Sequence, residues 1–432
     1  MSKCWVMNVR YKVLVIGTGG REYSLMDAFS KSPIADKIFT NNINFSHKAL
    51  YIDINYDSEM EYIAYHCKDK NIDLVVIGDE KYLENGLTDI LQSEGILVFG
   101  PNKAASKLEF SKSYAKELCH IHSIPTAQNG YFTDLKSATA FIDTLKTEKV
   151  VIKADGLCSG KGVFICDSHQ EGIKISEEMF AGKLGSSGKT VVIEEYLQGY
   201  EVSFFVLFDG TNCLELGHVQ DHKQVDHEGK ILNTGGMGGF SPVDLCNEET
   251  RTTIMRDIIY PTFYALADAD IRYVGVLFAG IMMTRSNDGT YFPKLLEYNV
   301  RFGDPETQML LPRLEVDLLD LCVKTAMGKI SPTQEIKLKE NKYTFCIVIA
   351  SQGYPGNYKK GIEITGIDEV QKHKDVHLYF ANIKYENGIY KSTGGRILNL
   401  VVLADSLVEA RERAYSLVTL IKGDGIFYLE NM

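Results

Sequence analysis

Positive charge is in short supply in this chain. Its 432 residues carry 46 Lys and Arg against 57 Asp and Glu, a formal net charge of −11, whereas a nucleic-acid footprint is basic. A local basic pocket for a phosphorylated small molecule remains compatible with that balance. The nine cysteines include no CxxC pair and no metal-ligand rhythm. That argues against a disulfide framework and fits free thiols in a reducing compartment. No GxSxG-like turn offers a partner for the Asp and His residues, so nucleophilic catalysis of the hydrolase kind is not expected. The opening MSKCWVMNVRYK lacks the apolar core of a signal peptide, and no other run is long enough to span a bilayer. The expected location is the cytoplasm, without membrane or nucleic-acid partners, and Met7 is as eligible a native start as Met1. Hydrophobic residues at 45% and charged residues at 24% are ordinary for a globular protein. The length is too great for one core and implies two to four domains.

What is present comes in three parts. Residues 12–111 alternate strand-like runs (KVLVIG from Lys12, IDLVVIG from Ile72, ILVFG from Ile96) with helical stretches at Arg21–Lys31 and Leu83–Ser93. Such β-α alternation implies an α/β fold with a doubly wound parallel sheet. Gly17-Thr-Gly-Gly20 follows the first run directly, and its amides at the start of a helix suit an anion. A dinucleotide fingerprint would need glycine at position 22, where Glu22 stands, so a nicotinamide cofactor is not expected. A tight turn with no ligand is the competing reading.

Asn102–His122 reads as one long helix, and from Ala127 the pattern changes to antiparallel-like strands. VVIKA (Val150–Ala154) and Val163–Cys166 flank Asp155-Gly-Leu-Cys-Ser-Gly-Lys-Gly162, a glycine-rich flap able to close over phosphates. It is not a P-loop, because GxxxxGK[ST] is absent. Lys153 and Lys161 would supply compact positive charge. Val191–Leu197 (VVIEEYL) and Glu201–Phe208 are further strands. Backbone there can face an adenine edge, and Glu201 is the candidate for ribose hydroxyls. Strand alternation sends only one of Glu194 and Glu195 inward. Asn233-Thr-Gly-Gly-Met-Gly-Gly239 is a second anion-cradling loop. His218 and His222 are four apart but lie in strand-and-loop context, against a zinc site.

The segment KLLEYNVRFGDPETQ (Lys294–Gln308) is the densest in chemistry. Glu297, Asn299 and Arg301 sit at i, i+2 and i+4, on one face if a strand runs through them. Gly303 and Pro305 then end the strand. A carboxylate and an amide so placed suit a magnesium ion shared with nucleotide phosphates, and Arg301 suits a phosphate or carboxylate clamp. An edge strand with a solvated polar face is the equal alternative. From Ser331 a smaller α+β unit follows, with a helix around Leu407–Ile421 and a turn at Thr393–Arg396 that fits either a phosphate contact or a plain hairpin.

Taken in order, GTGGRE (Gly17–Glu22), VFGPNKAASKLEFSKSYAK (Val98–Lys116), VIKADGLCSGKGV (Val151–Val163), VIEEYLQGYEVSFF (Val192–Phe205), QDHK (Gln220–Lys223), NTGGMGGFSP (Asn233–Pro242), LLEYNVRFGDPETQ and STGGR (Ser392–Arg396) resemble the phosphoribosylamine–glycine ligase family of ATP-grasp enzymes. The resemblance implies an N-terminal α/β substrate-binding domain (1–111) and an ATP-grasp unit of two α+β subdomains (112–330, flap about 127–197). A small C-terminal α+β domain (331–432) would follow. It also implies ATP, Mg2+ or Mn2+, glycine and 5-phosphoribosylamine as the small molecules handled, by a monomer or weak homodimer.

Residue by residue, the resemblance makes Glu297 and Asn299 the metal ligands. Lys112, Lys153, Gly160, Lys161, Gly162, Glu194, Glu195, Leu197 and Glu201 become the ATP contacts. Arg301, Asp304 and Lys223 fall at the reacting end, with Gly19, Gly20, Asp221, Asn233, Thr234, Gly235, Gly236, Met237 and Gly238 around the substrates. No carboxylate comes from Val274–Thr284, so phosphate and water would complete the metal shell. This sequence departs from the family pattern at Tyr23-Ser24, where His-Ala is usual, at Phe110 for Gly and at Gln224 for Arg. Asp79 and Tyr82 replace prolines, and Leu429–Met432 stands in place of R-D-I-G.

Overall fold

The runs Tyr11–Ile16 and Leu74–Ile77 are buried along almost their whole length, which is what the middle of a two-sided parallel sheet demands. In the computed structural model, which describes residues 9–55, 58–156, 162–227, 230–286, 289–331 and 333–432, they occupy that position. The order is Leu50–Tyr51, Ala35–Thr40, Tyr11–Ile16, Leu74–Ile77, Leu97–Phe99, with every pairing parallel. The doubly wound expectation holds here. Two helices expected as single pieces are split. Gly86, at φ 81°, separates Glu80–Glu84 from Leu87–Ser93. Ser111 leaves helical geometry between Lys103–Phe110 and Lys112–Ile121, and its hydroxyl accepts from the Tyr114 amide to cap the second piece.

The flap is a four-stranded antiparallel sheet, Asn129–Phe132, Val191–Glu195, Val150–Ala154, Val163–Cys166. Helices Leu135–Ile142 and His169–Phe180 contribute to its own small core. The large sheet has nine strands and runs Tyr291–Asn299, Val274–Arg285, Gly199–Asp209, Cys213–Asp221, Gly238–Ser241, Tyr343–Ser351, Arg396–Ala404, Val376–Phe380, with Ile426–Phe427 beside Tyr343–Ser351. The strands of the expected small C-terminal α+β unit extend the central sheet. The join is Gly238–Ser241, which pairs with Asp221 on one side and Tyr343–Ser351 on the other. One apolar core runs through the N-terminal sheet, the helix Leu318–Ala326 and the C-terminal strands.

Two residues in this join carry consequences for stability. Gly239 adopts φ +155°, and a Cβ there would stand 1.9 Å from the Gln220 carbonyl oxygen. Gly239→Ala should lose about 3 kcal/mol and lower the urea midpoint; an unchanged midpoint would show that the join yields without cost. His218 is buried, its Nδ1 accepts from the Val243 amide at 3.3 Å, and burial, with Arg313 and Arg251 nearby, pushes its pKa down to about 3. It stays neutral in the fold while an unfolded histidine protonates near its ordinary pKa of about 6.5. Its contribution is whole above about 6.5 and drains at about 1.4 kcal/mol per pH unit as the pH falls toward 3. Urea unfolding of the wild type and His218→Gln between pH 7 and 5 checks this, with a flatter acid slope expected in the variant.

Candidate active site

The strand Tyr291–Asn299 is an edge of the large sheet, and its ladder with Val274–Arg285 slips at one place. Glu297 lies opposite Gly280, yet Leu295 lies opposite Ile281, so Leu296 is the extra residue of a β-bulge. The bulge frees the Leu296 carbonyl, which accepts from Lys116 Nζ at 3.2 Å and Lys153 Nζ at 3.4 Å. Beyond it, Glu297 and Asn299 share a half-buried face while Tyr298 between them is buried. Burial alone would raise the Glu297 pKa, but Lys223, Lys153, Lys112 and Arg301 outweigh it and hold the carboxylate below its ordinary range. An ionised carboxylate beside an amide is a hard-oxygen donor set. Among the described residues no group of three or more His, Cys, Asp or Glu is arranged for a metal. Two protein donors with phosphate oxygens fit magnesium or manganese better than a closed protein cage.

Around that face the lysines are committed to partners. Glu194 is 2% exposed and sits between Lys153 at 2.8 Å and Lys116 at 3.2 Å. Those two ammonium groups keep it ionised against the effect of burial. Glu195 points to the other side, accepting from the Gln128 amide at 3.0 Å and Lys294 at 3.1 Å; Leu197 is buried. Lys112 Nζ reaches the Gly156 carbonyl at 3.3 Å, at the root of the flap loop. Gly162 closes that loop, with Ala154 donating to its carbonyl at 2.8 Å; Gly160 and Lys161 lie outside the described residues. Lys223 is paired with Glu201. Burial opposes its charge, but Glu201, Glu297, Asp221 and Glu306 drive its pKa up.

Several of the expected residues are already engaged within the fold. Arg301 lies past the strand end, and its guanidinium is taken by Glu109 at 2.9 Å and Glu80 at 3.1 Å. It holds the strand's end, where a clamp with open donors was expected. Asp304 accepts from the Gln308 side chain at 2.8 Å and the Arg21 amide at 3.3 Å, with Arg396 at 3.7 Å. Burial would raise its pKa, but Arg396 and Arg21 lower it. It is therefore a tie between the N-terminal helix and the C-terminal strands. The glycine turn is also preoccupied: the Gly19 amide donates to Glu22 at 2.7 Å, and Asp304 accepts from Arg21 one residue past Gly20. A Cβ at Gly20 would lie 2.3 Å from Asn399 Nδ2 and 2.7 Å from Gln308 Nε2. Close packing thus requires this glycine, and a phosphate at the turn would compete with two carboxylates already there.

In the second glycine loop, Thr234 Oγ1 donates to the Lys223 carbonyl at 2.8 Å, and the Gly236 amide donates to that hydroxyl at 3.0 Å. Gly235 donates to the Tyr354 hydroxyl at 3.3 Å, while Arg396 donates to the Gly235 and Gly236 carbonyls. Asn233 ends a two-stranded ribbon opposite Gln224. Met237 is fully buried, and Gly238 lies in the sheet opposite Ile347, where an added Cβ would stand 2.2 Å from the Cys346 carbonyl oxygen. Asp221 is half-buried, yet both carboxylate oxygens are out of solvent and without a hydrogen-bond partner among the described residues. Burial first, then Glu306, lifts its pKa well above the carboxylate range. Tyr23, the departure from the family's histidine, packs on Phe45 and Phe380 at 5.2 Å each and meets His47 Nε2 through its hydroxyl at 3.2 Å.

Sequence reasoning named no role for Glu80, Glu109, Lys116, Glu306 or Arg21. All of these but Glu80 did lie inside quoted motifs, and for Glu109 and Lys116 the signal was a charged residue embedded in a helical pattern.

Three family models match the chain in succession: the N domain of phosphoribosylglycinamide synthetase over residues 11–109, its ATP-grasp (A) domain over 110–307 and its C domain over 344–430. The phosphoribosylamine–glycine ligase of Brucella melitensis is 40% identical over 420 residues, covering 96% of each chain. That of Haemophilus influenzae is 37% identical over 421 residues at the same coverage. The crystal structure of the phosphoribosylamine–glycine ligase from Thermotoga maritima superposes with a TM-score of 0.81 at 29% identity, covering 96% of this chain and 98% of the other. Matched end to end in fold, domain succession and sequence, the chain belongs to the phosphoribosylamine–glycine ligase (phosphoribosylglycinamide synthetase) family of ATP-grasp proteins.

Proposed function

We propose that this protein joins glycine to 5-phosphoribosylamine with ATP, giving glycinamide ribonucleotide, ADP and phosphate, a step of purine biosynthesis. The observation that carries the reading is the pair Glu297 and Asn299 on one strand face, with Lys223, Lys153 and Lys112 near enough to keep Glu297 ionised. A carboxylate is a poor acyl donor because its oxygen leaves badly. Transfer of the γ-phosphoryl group to a glycine carboxylate oxygen gives glycyl phosphate. The amine of phosphoribosylamine then attacks the carbonyl carbon, the carbon–oxygen bond to phosphate breaks, and the amine gives up a proton. No protein nucleophile takes part, so the chain's work is positioning and charge neutralisation.

Glu297 and Asn299 would hold a magnesium or manganese ion, which neutralises phosphate charge when bound. Lys112 and Lys153 stand on the phosphate side. Gly160, Lys161 and Gly162 of the flap loop are further nucleotide contacts in this reading. Backbone between Glu194 and Leu197 faces the adenine, and Glu201 receives the ribose once Lys223 releases it. Lys223, Asp221 and the Asn233–Gly236 loop line the acceptor side.

Release of ADP should require all three small molecules together. Measured with each omitted in turn, turnover that persists without phosphoribosylamine would sink the assignment. Glu297→Gln should cut kcat by about a hundredfold or more while leaving the thermal midpoint almost unmoved. Near-normal turnover in that variant would remove Glu297 from the metal site.

A further inference from the structure

The segment that carries Glu297 and Asn299 is gripped at both ends by charged side chains from one helix pair. On its N-terminal side, the bulged Leu296 carbonyl accepts from Lys116 at 3.2 Å. Lys116 also donates to Thr126 Oγ1 at 2.6 Å, and that hydroxyl in turn donates to the Leu295 carbonyl at 2.6 Å. On its C-terminal side, Glu109 Oε2 accepts from the Val300 amide at 2.8 Å, directly after Asn299. The same carboxylate pairs with Arg301 through its other oxygen at 2.9 Å. Glu109 and Lys116 lie on the adjoining helices Lys103–Phe110 and Lys112–Ile121. Both are nearly out of solvent, at 9% and 3% exposure, and their polar atoms are engaged within the fold.

A cation on the carbonyl before the segment and an anion on the amide after it fix both peptide planes that flank the two donors. Burial pushes the Glu109 pKa up to about 7 against the pull of Arg301, and the ionised form that Arg301 favours makes the stronger, charge-assisted hydrogen bond. The grip matters because a bulge bends its strand and removes ladder bonds that would otherwise hold it. The counter-charges are supplied as well, Glu194 for Lys116 and Arg301 for Glu109, so the grip is tied into the fold on both sides. We propose that Glu109 and Lys116 are positioning residues that set the separation and orientation of Glu297 and Asn299 for a divalent cation. The same helix pair also touches the flap root, through Lys112 to the Gly156 carbonyl at 3.3 Å and the Ser113 amide to Asp155 at 3.1 Å. The two donors and the flap thereby share one rigid support.

The inference rests on the metal reading of Glu297 and Asn299, and the test separates the two. Mn2+ binding in the presence of ADP is titrated by electron paramagnetic resonance for the wild type, Glu297→Gln, Glu109→Gln, Lys116→Met and Thr126→Val. ADP binding without metal and the thermal midpoint are measured alongside. Glu109→Gln should weaken Mn2+ by about tenfold or more with metal-free ADP affinity unchanged, and Lys116→Met should weaken Mn2+ by at least as much while also disturbing ADP through its partners Glu194 and Lys153. Thr126→Val, which removes only the relay hydroxyl and keeps the side-chain shape, should weaken it by a smaller factor, so the question survives if a charge variant fails to fold. Unchanged Mn2+ affinity in folded Glu109→Gln, or in Thr126→Val where the charge variants do not fold, would overturn the proposal, even if turnover fell. Unchanged Mn2+ affinity in Glu297→Gln would instead overturn the metal reading beneath it.

Discussion

Glu194 lies at 2% exposure between two lysines that are 3% and 6% exposed, and this triad belongs to three different elements. Lys116 comes from the helix leading into the central unit, Lys153 and Glu194 from neighbouring strands of the flap. An isolated charge at that depth would cost several kcal/mol, and removing one member of such a set is far worse than never having it. The three must therefore assemble together or not at all. Their surplus positive charge goes to the Leu296 carbonyl, on the strand that carries Glu297 and Asn299. A requirement for burial thus becomes a requirement on where the site can lie.

The same logic repeats at the other junctions. Glu80 and Glu109 close on Arg301, fastening the N-terminal unit to the strand's far end. Asp304 gathers Arg21, Gln308 and Arg396, fastening it to the C-terminal strands. These buried pairs fix geometry more than they add stability, because desolvation consumes most of their attraction. Their placement explains how a site made of residues from distant parts of the chain keeps a single arrangement.

Much of this was legible beforehand, and the reason differs by element. Strand character at Tyr291–Asn299 follows from apolar alternation, and the shared face of Glu297 and Asn299 from period two. The glycine-rich turns declared themselves because few other residues tolerate their backbone. Which partner each charge would find was not legible. Arg301 and Asp304 read as substrate groups because a lone motif cannot show that Glu109 or Arg396 reaches them across the fold. The bulge at Leu296 was equally hidden, since register belongs to a strand pair and not to one strand. For the same reason the continuity of the large sheet through Gly238–Ser241 could not be seen in either of the segments that it joins.

The carboxyl groups around Lys223 complete the argument. Glu201, Glu297, Asp221 and Glu306 all bear on that one ammonium, an excess of negative charge in a place meant for phosphates. The fold resolves it by treating them unequally. Burial pushes Asp221 and Glu306 up, with repulsion from Glu306 adding at Asp221 and from Asp304 at Glu306. Glu297 is driven down by three lysines and an arginine, and stays ionised. Carboxyls pushed apart in this way within one site take different roles. The one held below its ordinary range is the one on the gripped strand, so the electrostatics and the backbone geometry point independently to the same residue for the proposed cation site.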